Sequence, residues 1–258
     1  MYIFSRALNS YNVLLIFFLS TIFLQSWGQT KTEIPPYSRV NTFGFFAMYS
    51  NDSSHMLLGY AENRKLLSFG ASYSRRLLHN RIVNWQYDGE LIPVALESDP
   101  VIHFVNMETS PTPSTTITNT RAPFPCQVGS GSYNDPVTVN GTTVIFAGTF
   151  TQTCPREWTI GEAMSPIGFQ WNFRPRHKLQ PFFVGHGGYM YSTTPIPTDN
   201  AGSFNFMFDF GPGIEFYRSA TKSIRVSYRY HHISNHFTAP DNPGIDNGVF
   251  QVTYAFGH

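Results

Sequence analysis

Between Arg229 and Asp246 the chain reads RYHHISNHFTAPDNPGID, with three histidines, one serine, two asparagines and two aspartates in eighteen residues. These are the side chains of proton transfer, nucleophilic attack and metal ligation. His232 and Ser234 stand at i and i+2, so on a strand they share a face, about 6.6 Å apart along the chain. An imidazole and a hydroxyl can meet across that gap, and a carboxylate such as Asp246, from a neighbouring strand, can hold the second ring nitrogen. That is the nucleophile, base and orienting acid of a serine hydrolase, an arrangement defined by roles rather than by order in the chain. A metal site from His231, His232 and His236 is the rival chemistry. Adjacent strand residues point to opposite faces, and no cysteine or glutamate stands at ligand spacing, so no metal is expected. The plainest alternative is a polar strand end with no chemistry.

The elements that must position these residues are foreshadowed by composition. A net charge of +1 over 258 residues offers no field for nucleic acid or an acidic partner. Charged residues are only 13%, against roughly 25% in ordinary soluble domains. Aromatics reach 16% while the hydrophobic total is only 41%, so the chain is rich in rings without being apolar throughout. Such a balance suits a transmembrane β-barrel, whose strands alternate and whose rings form girdles. A β-rich secreted domain shares it.

Residues 1–28 read as a cleaved signal peptide: Arg6 is the basic start, Val13–Leu24 the apolar run, and Ser26 and Gly28 the small residues before a cut at Gln29. An uncleaved anchor is the alternative, but the run is shorter than the roughly 20 residues a spanning helix needs. No later stretch reaches that length, so an integral protein must span with strands. Residues 29–258 then form the barrel.

Alternation places eight strands, at 41–50, 66–78, 82–97, within MSPIGFQWNFRP, PFFVGHGGYMYST, SFNFMFDFGPGIEFYR, SIRVSYRYHHIS and NGVFQVTYAF. The segment at 51–65 is ambiguous. An even strand count puts both termini and the short turns on the periplasmic side. The long segment 98–157, rich in Thr, Ser, Pro and Gly, then falls outside, as does the crowded motif. It reads as one long external loop. Cys126 and Cys154 both lie in it, and an exported chain meets an oxidising compartment, so they are expected to form a disulfide. Val252, Tyr254 and Phe256 resemble the terminal aromatic signal of barrels delivered to the outer-membrane assembly machinery, although Gly257 and His258 trail it.

In the seventh strand, Arg225, Ser227, Arg229 and His231 share one face and must line the lumen. His232 and Ser234 then face outward. Phe250, Val252, Tyr254 and Phe256 must face lipid, and Asp246 shares their parity. Asp209 and Glu215 read as lumen charges paired with Arg225 or Arg229, and His186 as a lumen-packed histidine.

His232-Ile233-Ser234-Asn235, then Asn242-Pro243-Gly244 and an acid fourteen residues after the histidine, resemble the bacterial lipid A 3-O-deacylase family, often grouped with acyloxyacyl hydrolases. The resemblance covers the barrel in pattern from about Asn41 and in motif only Arg229–Asp246. It implies an eight-stranded antiparallel outer-membrane barrel, all-β, that cleaves an ester-linked acyl chain. It implies Ser234 as nucleophile, His232 as general base and Asp246 as orienting acid, with Asn235, Asn242 and Gly244 near the oxyanion. The substrate would be lipid A or a related glycolipid, the surroundings outer-membrane lipid, and no cofactor is called for. Two features depart from the family: an Asp where its members carry Glu, and the extra Cys-containing segment. The other reading is a non-catalytic outer-membrane barrel whose long disulfide-pinned loop binds an external partner.

Overall fold

The computed structural model describes residues 36–258; the signal-peptide segment lies outside the described residues. The described chain is built from strands. β1 (Asn41–Ser50), β2 (Lys65–His79) and β3 (Val83–Pro100) are followed by β4 (Ile102–Ser110), β5 (Ser114–Thr120), β6 (Gly129–Val139) and β7 (Thr142–Thr153). Then come β8 (Arg156–Phe173), β9 (Leu179–Ser192), β10 (Phe204–Ser219), β11 (Lys222–Ser234) and β12 (Ile245–Gly257). Eight of them close a barrel in the order β1-β12-β11-β10-β9-β8-β3-β2, every pair antiparallel.

Alternation sorts the side chains as the two-residue period requires. Asn205, Met207 and Asp209 of β10 are buried in the lumen, while Phe204, Phe206 and Phe210 are exposed on the outer wall. On β11, Arg225, Ser227, Arg229 and His231 are buried, and Tyr228 is exposed. On β12, Phe250, Val252 and Tyr254 face out. An outer wall of rings and aliphatics around a polar interior is the surface that lipid solvates.

The lumen is filled by charge pairs. Arg229 lies 3.2 Å from both Glu90 and Asp209, and Arg225 lies 3.3 Å from Glu215 and 3.5 Å from Asp88. Arg39, just before β1, reaches Glu215 at 2.5 Å. His186 is buried there too, 3.0 Å from Asp209. Such pairs persist in a dry interior only when geometry and extra hydrogen bonds offset desolvation, and Ser223, Asn172 and Gln251 supply those bonds. Toward the long-loop end the interior turns apolar: Met48, Ala61, Met207, Ile233, Ile245 and Val249 belong to one buried cluster. Ile233 pairs directly with Ile245 across β11 and β12. This is a firm floor under the crowded motif.

Segment 98–157 is not the irregular loop its composition suggests. β3 and β8 run on as a pair to Pro100 and Arg156. Beyond them β4–β7 form a separate antiparallel sheet in the order β5-β4-β7-β6. The sheet is solvated on both faces, β5 being exposed along its whole length. With no buried face it needs no apolar alternation, so the pattern that betrays the barrel strands is missing. Cys126 and Cys154 are joined, with their Cα atoms 5.8 Å apart.

Candidate functional site

The crowded motif straddles the end of β11, the turn after it and the start of β12. His232 is the direct cross-strand partner of Asp246. Their side chains lie on the outer face, and His232 Nδ1 is 2.6 Å from Asp246 Oδ1. This separation is that of a charge-assisted hydrogen bond. A carboxylate accepts only, so Nδ1 carries the proton and Nε2 is left as the basic nitrogen. Nε2 has no hydrogen-bond partner among the described residues. Phe208 of β10 packs its ring 5.2 Å from the imidazole and fixes its tilt.

Ser234 is the last residue of β11, on the same face as His232 and opposite Phe206. It is half-exposed, and its hydroxyl makes no hydrogen bond among the described residues. The serine and the imidazole are thus neighbours that no bond yet joins; catalytic bonds often tighten only around substrate.

The turn after Ser234 is held from within. The Asn235 backbone N–H donates to Asn242 Oδ1 at 3.0 Å, and Asn235 Nδ2 donates to the Asp241 carbonyl at 2.6 Å. Asn235 Oδ1 accepts from the Phe237 N–H. The Asn235 amide is therefore spent on the turn, whose residues His236 and Phe237 both have positive φ. Asn242 is oriented the other way: its oxygen is occupied, and its Nδ2 donors have no partner among the described residues. Gly244 has φ +62°, and a Cβ there would stand 3.0 Å from His232 Cε1. Only glycine fits against the ring in this conformation.

Asp246 is the residue that the structure treats most unexpectedly. It faces outward, as its parity demands, yet it is 0% exposed. Segment 51–64 crosses over it. Leu57 and Leu58 donate their backbone N–H groups to Oδ2 at 2.7 and 2.9 Å, and the Tyr230 hydroxyl donates to Oδ1 at 2.7 Å. Sequence reasoning missed all three donors. Tyr230 was findable, since it shares the outer face of β11 two residues before His232. The backbone donors have no signal in side-chain identity.

The three histidines do not converge. His231 is buried on the lumen face, His232 is tied to Asp246, and His236 is exposed on the turn. Among the described residues, one trio, Glu90, His186 and Asp209, has its donor atoms close enough for a metal. Arg229 Nη1 lies 3.1–3.2 Å from an atom of each, so a guanidinium already holds the cation's place.

A closed barrel with an apolar, ring-rich wall makes this a protein of the bacterial outer membrane, here one with an imidazole–carboxylate pair on the wall itself. Residues 130–255 match the family model described as lipid A 3-O-deacylase (PagL), and over this region the chain is similar to that family. The match takes in β8–β11 and β12 through Ala255, and with them His232, Ser234 and Asp246. No curated protein matches the chain. Among solved structures, the outer membrane enzyme PagL is 12% identical, over 83% of this chain and 99% of its own, with a TM-score of 0.45. Neisserial surface protein A is 11% identical over 84% and 97%, with a TM-score of 0.41. OprG from Pseudomonas aeruginosa is 10% identical over 87% and 100%, with a TM-score of 0.37.

Proposed function

We propose that the protein is an outer-membrane serine esterase that removes an ester-linked acyl chain from lipid A. The observation that carries this reading is the outward-facing His232–Asp246 pair, with Nε2 unpartnered among the described residues on the face that Ser234 shares. Ser234 Oγ attacks the ester carbonyl while His232 Nε2 takes its proton. Asp246 holds the Nδ1–H and stabilises the imidazolium that forms. Asn242 Nδ2, which has no partner among the described residues, and the N–H of Gly244 are assigned as the oxyanion donors. His232 returns its proton to the departing sugar hydroxyl, leaving the acyl group on Ser234. A water, deprotonated by the same nitrogen, then releases the fatty acid and restores the serine. The site stands on the barrel wall near the apolar layer, which suits an ester at the boundary between headgroup and chains.

The test is mass spectrometry of lipid A from cells with and without the protein. The wild type should remove one acyl chain. Ser234→Ala should keep a folded, heat-modifiable barrel and remove none, since losing a nucleophile typically costs several orders of magnitude in rate. Unchanged processing by the mutant would remove Ser234 from the reaction. A second reading rests on the β4–β7 sheet, which stands clear of the barrel with both faces open and can serve as a binding platform. Loss of function through changes in that sheet, with Ser234→Ala silent, would favour it.

A further inference from the structure

Asp246 accepts four hydrogen bonds, two on each oxygen. Oδ1 takes His232 Nδ1 and the Tyr230 hydroxyl; Oδ2 takes the N–H groups of Leu57 and Leu58. An ionised carboxylate offers about four lone-pair sites, so this set is complete. The completeness has a physical reason. A carboxylate on the outer wall, cut off from water, is costly unless every lone pair is met. Segment 51–64 is fitted to do this. It leaves β1 beside β12, with the Asn51 N–H on the Gly248 carbonyl and the Ser54 N–H on the Asp246 carbonyl. It then turns over the carboxylate, and Tyr60 and Ala61 donate to the carbonyls of Pro243 and Gly244. At Gly59 the two backbones nearly touch: a Cβ there would stand 2.8 Å from the Gly244 carbonyl carbon and 2.9 Å from the Asp246 nitrogen.

We propose that Tyr230 and the backbone amides of Leu57 and Leu58 are positioning groups of the reaction: together they hold Asp246 in line with His232. This rests on the serine-esterase reading of the site and deepens it. A carboxylate bonded to His232 alone can swing about its side-chain torsions. With Oδ2 pinned by two amides and Oδ1 shared with Tyr230, one orientation remains, and it points at Nδ1. The arrangement also explains how an aspartate serves where the family carries the longer glutamate. The acid is brought to the ring by direct cross-strand pairing and is kept there by donors outside the triad.

The experiment is steady-state deacylation of lipid A in detergent micelles by the purified full-length barrel, with free fatty acid as the readout. Tyr230→Phe keeps the ring and removes only the hydroxyl. It should lower kcat about tenfold, the usual scale for one hydrogen bond to a charged group, with KM changed less than about twofold. Gly59→Ala, which lifts the strap off the 244–246 backbone, should act in the same direction, and gel mobility before and after heating reports whether the barrel still folds. The decisive measurement is the double mutant. In an Asp246→Ala background, Tyr230→Phe should cost less than about twofold, because the group it positions is gone. Wild-type kcat in Tyr230→Phe, or the same loss with and without Asp246, overturns the proposal. If Ser234→Ala is inactive in the same assay while Tyr230→Phe is fully active, the positioning role alone fails. If Ser234→Ala is fully active, the esterase reading fails and the positioning role with it.

Discussion

Asp246 is an outward-facing carboxylate that water does not reach. Its value to the proposed reaction lies in keeping the proton on His232 Nδ1, and an asparagine cannot do that reliably. The amide can present either its oxygen or its NH2 group to the ring, and the strap amides of Leu57 and Leu58 compete for the oxygen. Asp246→Asn should therefore lower the deacylation rate by about three to four orders of magnitude while the barrel still forms. Asp246→Glu keeps the charge but adds a methylene beneath a strap already in contact, so it should retain part of the activity. Full activity of purified Asp246→Asn would take Asp246 out of the site and make Asp241 the next acid to test. The shared outer face of His232, Ser234 and Asp246 was legible in the sequence, because parity assigns it. The residues proposed for the oxyanion could be named from the sequence only as a group. Bonding within the turn separates Asn235, whose amide is occupied, from Asn242, whose donors have no partner among the described residues.

The barrel strands were legible as elements for the same reason that they are stable: lipid on one side and a packed lumen on the other force a strict alternation. The β4–β7 sheet meets neither condition and was hidden. One local signal did exist. Asn140-Gly141 lies between two β-prone runs, and both residues have positive φ, the turn that favours a tight hairpin. Val139 pairs with Thr142 across it. The disulfide bridges a sequence separation of 28 residues within this sheet and its approach. In the chain-entropy model, a closed loop of that size contributes about 3–4 kcal/mol to the order of the segment it spans. Replacing Cys126 and Cys154 together with serine should make the insertion sensitive to limited proteolysis. The barrel should keep its heat-modifiable mobility, because no barrel ladder passes through the bridge. A barrel that fails to form without the disulfide would show that the insertion is needed for folding.

At the scale of the molecule, one residue ties the long-loop end together. Arg64 is fully buried, and its guanidinium donates to Asp99 Oδ1 and to the carbonyls of Glu62, Ala122, Pro123 and Pro197. These acceptors come from β3, the strap, the stretch between β5 and β6, and the segment between β9 and β10. Burial pulls the Arg64 pKa below its ordinary value and the charge of Asp99 pushes it back up, so the pairing is what allows a charge here. The Arg64 carbonyl accepts from Asn247 Nδ2, one residue from Asp246. The same residue therefore anchors the strap at its end and the acid's neighbour at the start of β12. The lumen pairs around Arg225 and Arg229 lie elsewhere and hold the barrel without it. Arg64→Ala should accordingly leave the barrel folded but leave Asp99 with a weaker partner, Arg121 at 3.6 Å. Removing one partner of a buried ion pair costs about 3–5 kcal/mol, and that loss should appear as local opening of segment 51–64. Deacylation should fall at least tenfold, since a factor of ten needs only about 1.4 kcal/mol. Arg64→Lys should not rescue it: an ammonium carries the charge but cannot spread donors over five acceptors in a plane. Hydrogen exchange of the Leu57 and Leu58 amides reads the opening directly. Unchanged protection of those amides in Arg64→Ala would show that the strap is held by its own contacts with Pro243, Gly244 and Asp246, and that Arg64 secures only the insertion.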